Sequence, residues 1–193
     1  MLLIPAIEWD KKTISGIITE DNPTISNVSD TSEIEEGYVL SSDDFPYNTR
    51  VISKTSNSIT LSNDALNSDA NFEGEFYKRY EFEYPPSTDQ EEQSSIQKRV
   101  GTSLSGKRQV VTDYIELTRS LTFGFITPQD RDILKSFYEE FAALGNKFRY
   151  FNDKAINSFV DYEDNNDEFN QSRQAKKAGG FLYEISFSFR RVK

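Results

Sequence analysis

In the C-terminal stretch FLYEISFSFRRVK, Tyr183, Ile185, Phe187 and Phe189 fall on one parity and Glu184, Ser186, Ser188 and Arg190 on the other. A period of two sends alternate side chains to opposite faces, so this segment can bury one side and wet the other only as a β-strand. The pattern recurs upstream, where Ile115, Leu117, Leu121, Phe123 and Phe125 alternate with Glu116, Thr118, Ser120 and Thr122. Two half-buried strands of one sheet are expected. Arg119 breaks the apolar parity and is expected to lie past the edge of the core, with its guanidinium reaching water.

Between these strands stands the one clear helical pattern, TPQDRDILKSFYEEFAALG, residues 127–145. Thr127 is suited to the N-cap, Pro128 to the first helical position and Asp130 to the positive end of the helix dipole, while Gly145 ends the helix. Ile133, Leu134, Phe137, Phe141 and Leu144 form the expected apolar stripe, laid on one face of the sheet. Strand resumes in NKFRYFND, with Phe148 and Tyr150 on one side and Arg149 and Phe151 on the other.

Upstream of residue 76 the chain reads as shorter strands. LLIPAIEWDKKTISGIIT is one or two strands broken by Gly16, and β-type runs follow at 24–28, 38–40, 49–53 and 58–61 between turn signals. That spacing predicts a small barrel or sandwich. Residues 13–75 hold twelve acidic side chains and only Arg50 and Lys54 as bases, which is the whole of the formal net charge of -10. The expected organisation is therefore an inserted acidic β module, 13–75, within a core domain made of 1–12 and 76–193. EFYKRYEFEY reads as a strand leaving the module, and residues 85–99, PPSTDQEEQSSIQKR, as a polar loop or linker. The predicted fold class is mainly β (α+β): a β-sandwich or barrel core flanked by one α-helix, plus the small N-terminal module.

Composition removes most chemistry. The chain has no Cys and no His, so thiol nucleophiles, zinc fingers, disulfide frameworks and His-based triads are excluded. Its acidic balance argues against a general nucleic-acid binder. DYEDNNDEFN, residues 161–170, sets Asp161, Glu163 and Asn165 at the spacing of a calcium loop. Asn166 replaces the sharp-turn glycine and Ser172 the terminal Glu, so a solvated loop is expected. Gly179 and Gly180 are read as a turn or bulge before a strand, and SGKRQ, residues 105–109, as a hairpin tip or subunit contact. No catalytic, cofactor-binding or metal-binding residue is expected, and no enzyme. The opening MLLIPAIEWDKK carries too short an apolar run for a membrane span.

Two stretches carry a resemblance. Thr24-Ile25, Glu36-Gly37-Tyr38-Val39, Phe45-Pro46, Asn48-Thr49-Arg50-Val51-Ile52 and Ser58-Ile59-Thr60-Leu61-Ser62-Asn63-Asp64-Ala65 are similar to a small β module that recurs in tailed-phage structural proteins. Asn48 stands where that module has a turn glycine. Residues 105–193 resemble the distal tail and minor tail-tip proteins of long-tailed, lambda-like bacteriophages, through Ser105-Gly106-Lys107-Arg108-Gln109, Leu121-Thr122-Phe123-Gly124-Phe125, the helix Pro128 to Leu144, Gly145-Asn146-Lys147-Phe148-Arg149-Tyr150 and Tyr183 to Arg190.

The resemblance implies a virion structural protein, made in the host cytoplasm and located at the tail tip of the virion. Its partners would be further copies in a homo-oligomeric ring, a hexamer by family, together with a tail tube protein and a tail hub or tip protein; DNA would only pass through the lumen. Two alternatives stand: another tail or neck position (tube, terminator or adaptor), or a carbohydrate-binding module touching the host surface. For the last, the only Trp, Trp9, lies outside the module.

Overall fold

The computed structural model describes residues 3–102, 108–166, 168–174 and 181–192. In chain order the elements are β1 Ala6–Ile18, β2 Thr24–Ile25, β3 Val39–Ser41, β4 Thr49–Lys54, β5 Ile59–Leu61, β6 Asp69–Glu81, β7 Thr88–Thr102 and β8 Arg108–Ile126. The helix α1 Pro128–Glu140 follows, then β9 Phe148–Phe151, β10 Phe159–Asp164, β11 Asn170–Arg173 and β12 Tyr183–Arg191. The fold is mainly β with one α-helix among the described residues. The chain divides into two compact units: a first of Ala6–Glu81 with Asp153–Ser158, and a second of Met1–Pro5, Phe82–Asn152 and Phe159–Lys193.

Two expected boundaries need correction. β1 and β6 pair antiparallel from Ala6↔Glu81 to Ile18↔Asp69, so module limits at 13 and 75 would cut through both strands. The unit begins at Ala6 because pairing, not charge, decides where a sheet ends. Residues 85–99 are not a linker; most of them belong to β7, which pairs with β8 from Thr88↔Thr122 to Thr102↔Arg108. Their polar side chains reported exposure, whereas the strand is made by backbone hydrogen bonds to β8.

The first unit is a small closed barrel. Its strands run β2-β5-β4-β3-β6-β1, and Ile17 of β1 exchanges backbone hydrogen bonds of 2.8 and 2.9 Å with Ser26, just past β2. Ile14, Ile18, Ile25, Leu61, Phe72 and Phe76 are among the side chains that fill it. Gly16 does not break β1. It sits at a register shift where an added Cβ would lie 2.6 Å from Ile25 Cγ2 and 2.9 Å from the Ser26 carbonyl oxygen. Gly16→Ala is expected to cost about 1–3 kcal/mol through this overpacking, read by denaturant unfolding. Asn48 adopts φ 64°, the left-handed conformation that glycine supplies more cheaply, and Asn tolerates it better than most residues.

The second unit is a sheet in the order β9-β10-β12-β8-β7, with β11 also paired to β12. β12 keeps its alternation, burying Tyr183, Ile185, Phe187 and Phe189. Thr127 caps α1 reciprocally: its Oγ1 accepts from the Asp130 N–H at 3.2 Å and donates to Asp130 Oδ2 at 2.6 Å. The helix packs by Leu134, Phe137 and Tyr138, and Ala142 beyond it is also buried. The expected stripe is thus rotated: Ile133 and Leu144 are exposed and Phe141 is half-buried. Past Glu140 the chain tightens into a 3-10 turn, Ala142–Leu144, which ends at Gly145 with φ 79°. A 3.6-residue period cannot be extrapolated through that turn.

Candidate assembly surface

β8 changes partners along its length. β12 accompanies it from Thr118 to Ile126, whereas from Arg108 to Leu117 only β7 pairs with it among the described strands. That leaves a two-stranded ribbon of about ten residues per strand, ~33 Å long. Ile96 and Val100 of β7 are exposed on it, beside the exposed Gln93, Ser94 and Ser95. An isolated two-stranded ribbon is marginal in water, and β7 is an outer strand with backbone groups to offer. Residues 105–107 of the basic run lie outside the described residues; Arg108 and Gln109 open β8.

The root of the ribbon is clamped by Arg119. Its Nε and Nη2 donate to the two oxygens of Asp89 at 3.0 and 2.6 Å, its Nη1 donates to Asn152 Oδ1 at 2.7 Å, and the guanidinium lies 5.0 Å from the centre of the Tyr150 ring. The side chain is 12 % exposed, so the expected reach to water is replaced by a fork-on-carboxylate pair. Burial lowers the Arg119 pKa, but the Asp89 hydrogen bonds and charge together with the Tyr150 and Tyr162 hydroxyls outweigh it and leave the group above its ordinary value. Burial also pushes the Tyr150 phenol up. An arginine on an apolar parity was the available signal; its partner, in a polar run distant in sequence, was not.

At the other end of β8 the alternation fails. Leu121 and Phe123 are buried, but Phe125 has φ 62° and its side chain is 56 % exposed, while Ile126 turns inward. The β8–β12 register slips here, with Phe123 opposite Ile185 and Ile126 opposite Tyr183. This is a β-bulge, which re-aims a side chain at a cost of about 1–2 kcal/mol for the left-handed backbone. The Phe125 N–H donates to Gln174 Oε1 at 3.3 Å and so holds the bulge. Phe125 meets Tyr84 edge to face at 6.4 Å, and with Pro85, Pro86, Ser87 and Gly124 the two rings line a shallow cavity of ≈ 420 Å³. Glu83 stands on its rim: Tyr84 OH donates to Glu83 Oε1 at 3.1 Å, which raises the phenol pKa.

The acidic stretch 161–170 begins as strand and not as a solvated loop. Asp161, Glu163 and Asp164 lie on β10; Glu163 pairs with Arg190 at 2.7 Å, and Asp164 Oδ1 accepts from the Asn166 side chain at 2.8 Å. Asn165 donates its N–H to the Ser188 carbonyl at 2.9 Å. Glu163 is thus committed to Arg190, while Asp167 lies outside the described residues, as do Gly179 and Gly180. Among the described residues no group of three or more acidic side chains is placed to hold a metal ion, and no helix is long and apolar enough to cross a membrane.

In the first unit a buried ion pair lies beside a cavity of mixed polar and apolar lining. Arg79, with no exposed side-chain surface, donates from Nη1 to Glu8 Oε1 at 3.1 Å and to Tyr47 OH at 3.0 Å, and from Nη2 to the Lys154 carbonyl at 2.8 Å. Its Nε lies 3.3 Å from Glu81, which also pairs with Arg50 and Lys154. Burial raises the Tyr47 pKa, against the pull of Arg79. Glu8 and Tyr47 line a cavity of ≈ 280 Å³ together with Ser41, Ser42, Asp43 and Asn157 on its polar side and apolar residues such as Phe45 and Leu66 on the other. Comparison with protein-family models, with curated proteins and with solved structures finds no match to this chain.

Proposed function

We propose that this protein is a virion structural protein, a subunit of a homo-oligomeric ring at the tail tip of a long-tailed phage. It connects the tail tube to the tip hub and forms part of the conduit for DNA. The observation that carries the reading is the β7–β8 ribbon, an arm clamped at its root by Arg119 and Asp89 and bearing exposed Ile96 and Val100. Such an arm gains stability by lying on a neighbour, and an unshared outer strand offers backbone pairing to it. The sequence resemblance to distal tail and minor tail-tip proteins points the same way. Six copies are expected on that resemblance, around a lumen without a basic stripe, because clustered Lys and Arg would hold passing phosphates.

Electron microscopy of assembled tails tests this, with density for several copies closed about the tail axis at the tip as the expected result. A single copy per virion, or an Arg-lined lumen gripping DNA, would overturn it. The alternative of a carbohydrate-binding module has in its favour the barrel cavity, where carboxylate, hydroxyl and amide groups of the kind that recognise sugar hydroxyls stand beside apolar side chains. Glycan binding by a chain that never enters the tail would select that alternative.

A further inference from the structure

The second unit carries two exposed apolar features of opposite shape. The concave one is the aromatic and proline cup of Tyr84, Pro85, Pro86 and Phe125, whose backbone is held left-handed with the ring outside the core. The convex one lies beyond the far end of α1. Ala143, Leu144, Gly145, Asn146 and Lys147 are consecutive exposed residues, and Leu144 is 71 % exposed. This knob is firmly tied: the Gly145 N–H donates to the Ala142 carbonyl at 2.9 Å, and Asn146 Nδ2 to the Phe141 carbonyl at 3.0 Å.

The rims are oppositely charged. Glu83 borders the cup and Lys147 borders the knob, both exposed. The cup directly precedes the N-cap Thr127 and the knob follows the last turn, so a helix of 13 residues, about 20 Å long, separates them. A copy's knob cannot enter its own cup. Two different patches that fit each other on the same chain make a head-to-tail contact, which either closes into a ring or runs on as a filament.

We propose that the cup formed by Tyr84, Pro85, Pro86 and Phe125 is the docking site for a second copy of this chain, receiving its Leu144 with Glu83 set against Lys147. This rests on the ring reading and names the contact within it. Leu144 loses its exposed surface on docking, the two Phe125 and Tyr84 rings supply the walls, and the Glu83–Lys147 pair sets orientation more than affinity.

The chain has no cysteine, so introduced thiols report without background. Ser87→Cys marks the cup rim and Ala143→Cys the knob, leaving the apolar groups in place. A short bismaleimide should cross-link an equal mixture of the two full-length variants into mixed dimers, with each variant alone giving about tenfold less. Adding Leu144→Asp to the Ala143→Cys chain should abolish the product. Adding Glu83→Lys to the Ser87→Cys chain should reduce it about tenfold, and Lys147→Glu on the partner chain should restore it. All substitutions are at exposed positions, and an unchanged thermal midpoint confirms folding for each variant.

Equal homotypic products, no product at the highest soluble concentration, or indifference to Leu144→Asp would overturn the contact, as would a cup occupied instead by a segment of another tail protein. The outcome is independent of the virion test. A ring at the tail tip without this cross-link refutes the contact alone, and the cross-link without a ring refutes the tail-tip assignment alone.

Discussion

Replacing Arg79 with alanine is expected to lower the unfolding free energy by about 3–5 kcal/mol, because it leaves a buried carboxylate without its counter-charge. Glu8 is only 3 % exposed and its Oε1 accepts from Arg79 Nη1; the Tyr47 hydroxyl and the Lys154 carbonyl lose the same donor group. The cost comes from the stranded groups more than from the pair itself, since two charges taken out of water recover little net energy even when well matched. The double variant Glu8→Gln with Arg79→Met should therefore be markedly more stable than Arg79→Ala alone. Urea unfolding of the three proteins decides it. A loss below about 1 kcal/mol for Arg79→Ala would mean that water reaches the site and screens Glu8.

Phe137→Ala is expected to cost a similar amount, about 3–5 kcal/mol, by a different route. The Phe137 ring stands edge-on to Phe148 at 5.2 Å and near Phe187 at 6.5 Å, between the helix and the sheet. Removing it opens a cavity that the rigid strands beneath cannot fill. Phe141 also neighbours Phe137, at 6.5 Å, but it is half-buried, so Phe141→Ala should cost less than Phe137→Ala. Glu139 and Glu140 are exposed, and alanine at either should be near neutral. Sensitive glutamates together with a tolerant Phe137 would put the helix on the sheet by its other face.

How much of this was legible follows from how local each signal is. The α1 N-cap rests on atoms three residues apart, and Thr127 and Asp130 are found in the reciprocal arrangement that their spacing predicts. β12 buries Tyr183, Ile185, Phe187 and Phe189 because an uninterrupted period of two leaves no other face to bury. The short strands of the barrel likewise stand where turn signals bracket them, β4 at Thr49–Lys54 and β5 at Ile59–Leu61 among them. Of the candidate surface, the sequence singled out Phe125 as apolar and Arg119 as anomalous, and assigned both to the wrong surroundings.

What the amino-acid sequence determined by itself was therefore each element whose evidence lies within a few residues: the helix and its caps, the alternating strands, and the concentration of negative charge in residues 13–75. Tertiary structure alone decided which strands pair and where registers slip. It made a strand of the polar residues after Thr88 by supplying β8 as their backbone partner, and closed the barrel through Ile17 and Ser26. It joined Arg119 to Asp89 and Arg79 to Glu8 across long stretches of chain, and turned Phe125 outward at a bulge. The physical reason is common to all of these. Hydrogen-bond partners in a sheet, and the counter-charge of a buried arginine, come from residues distant in the chain, and no local period of hydrophobicity encodes their identity.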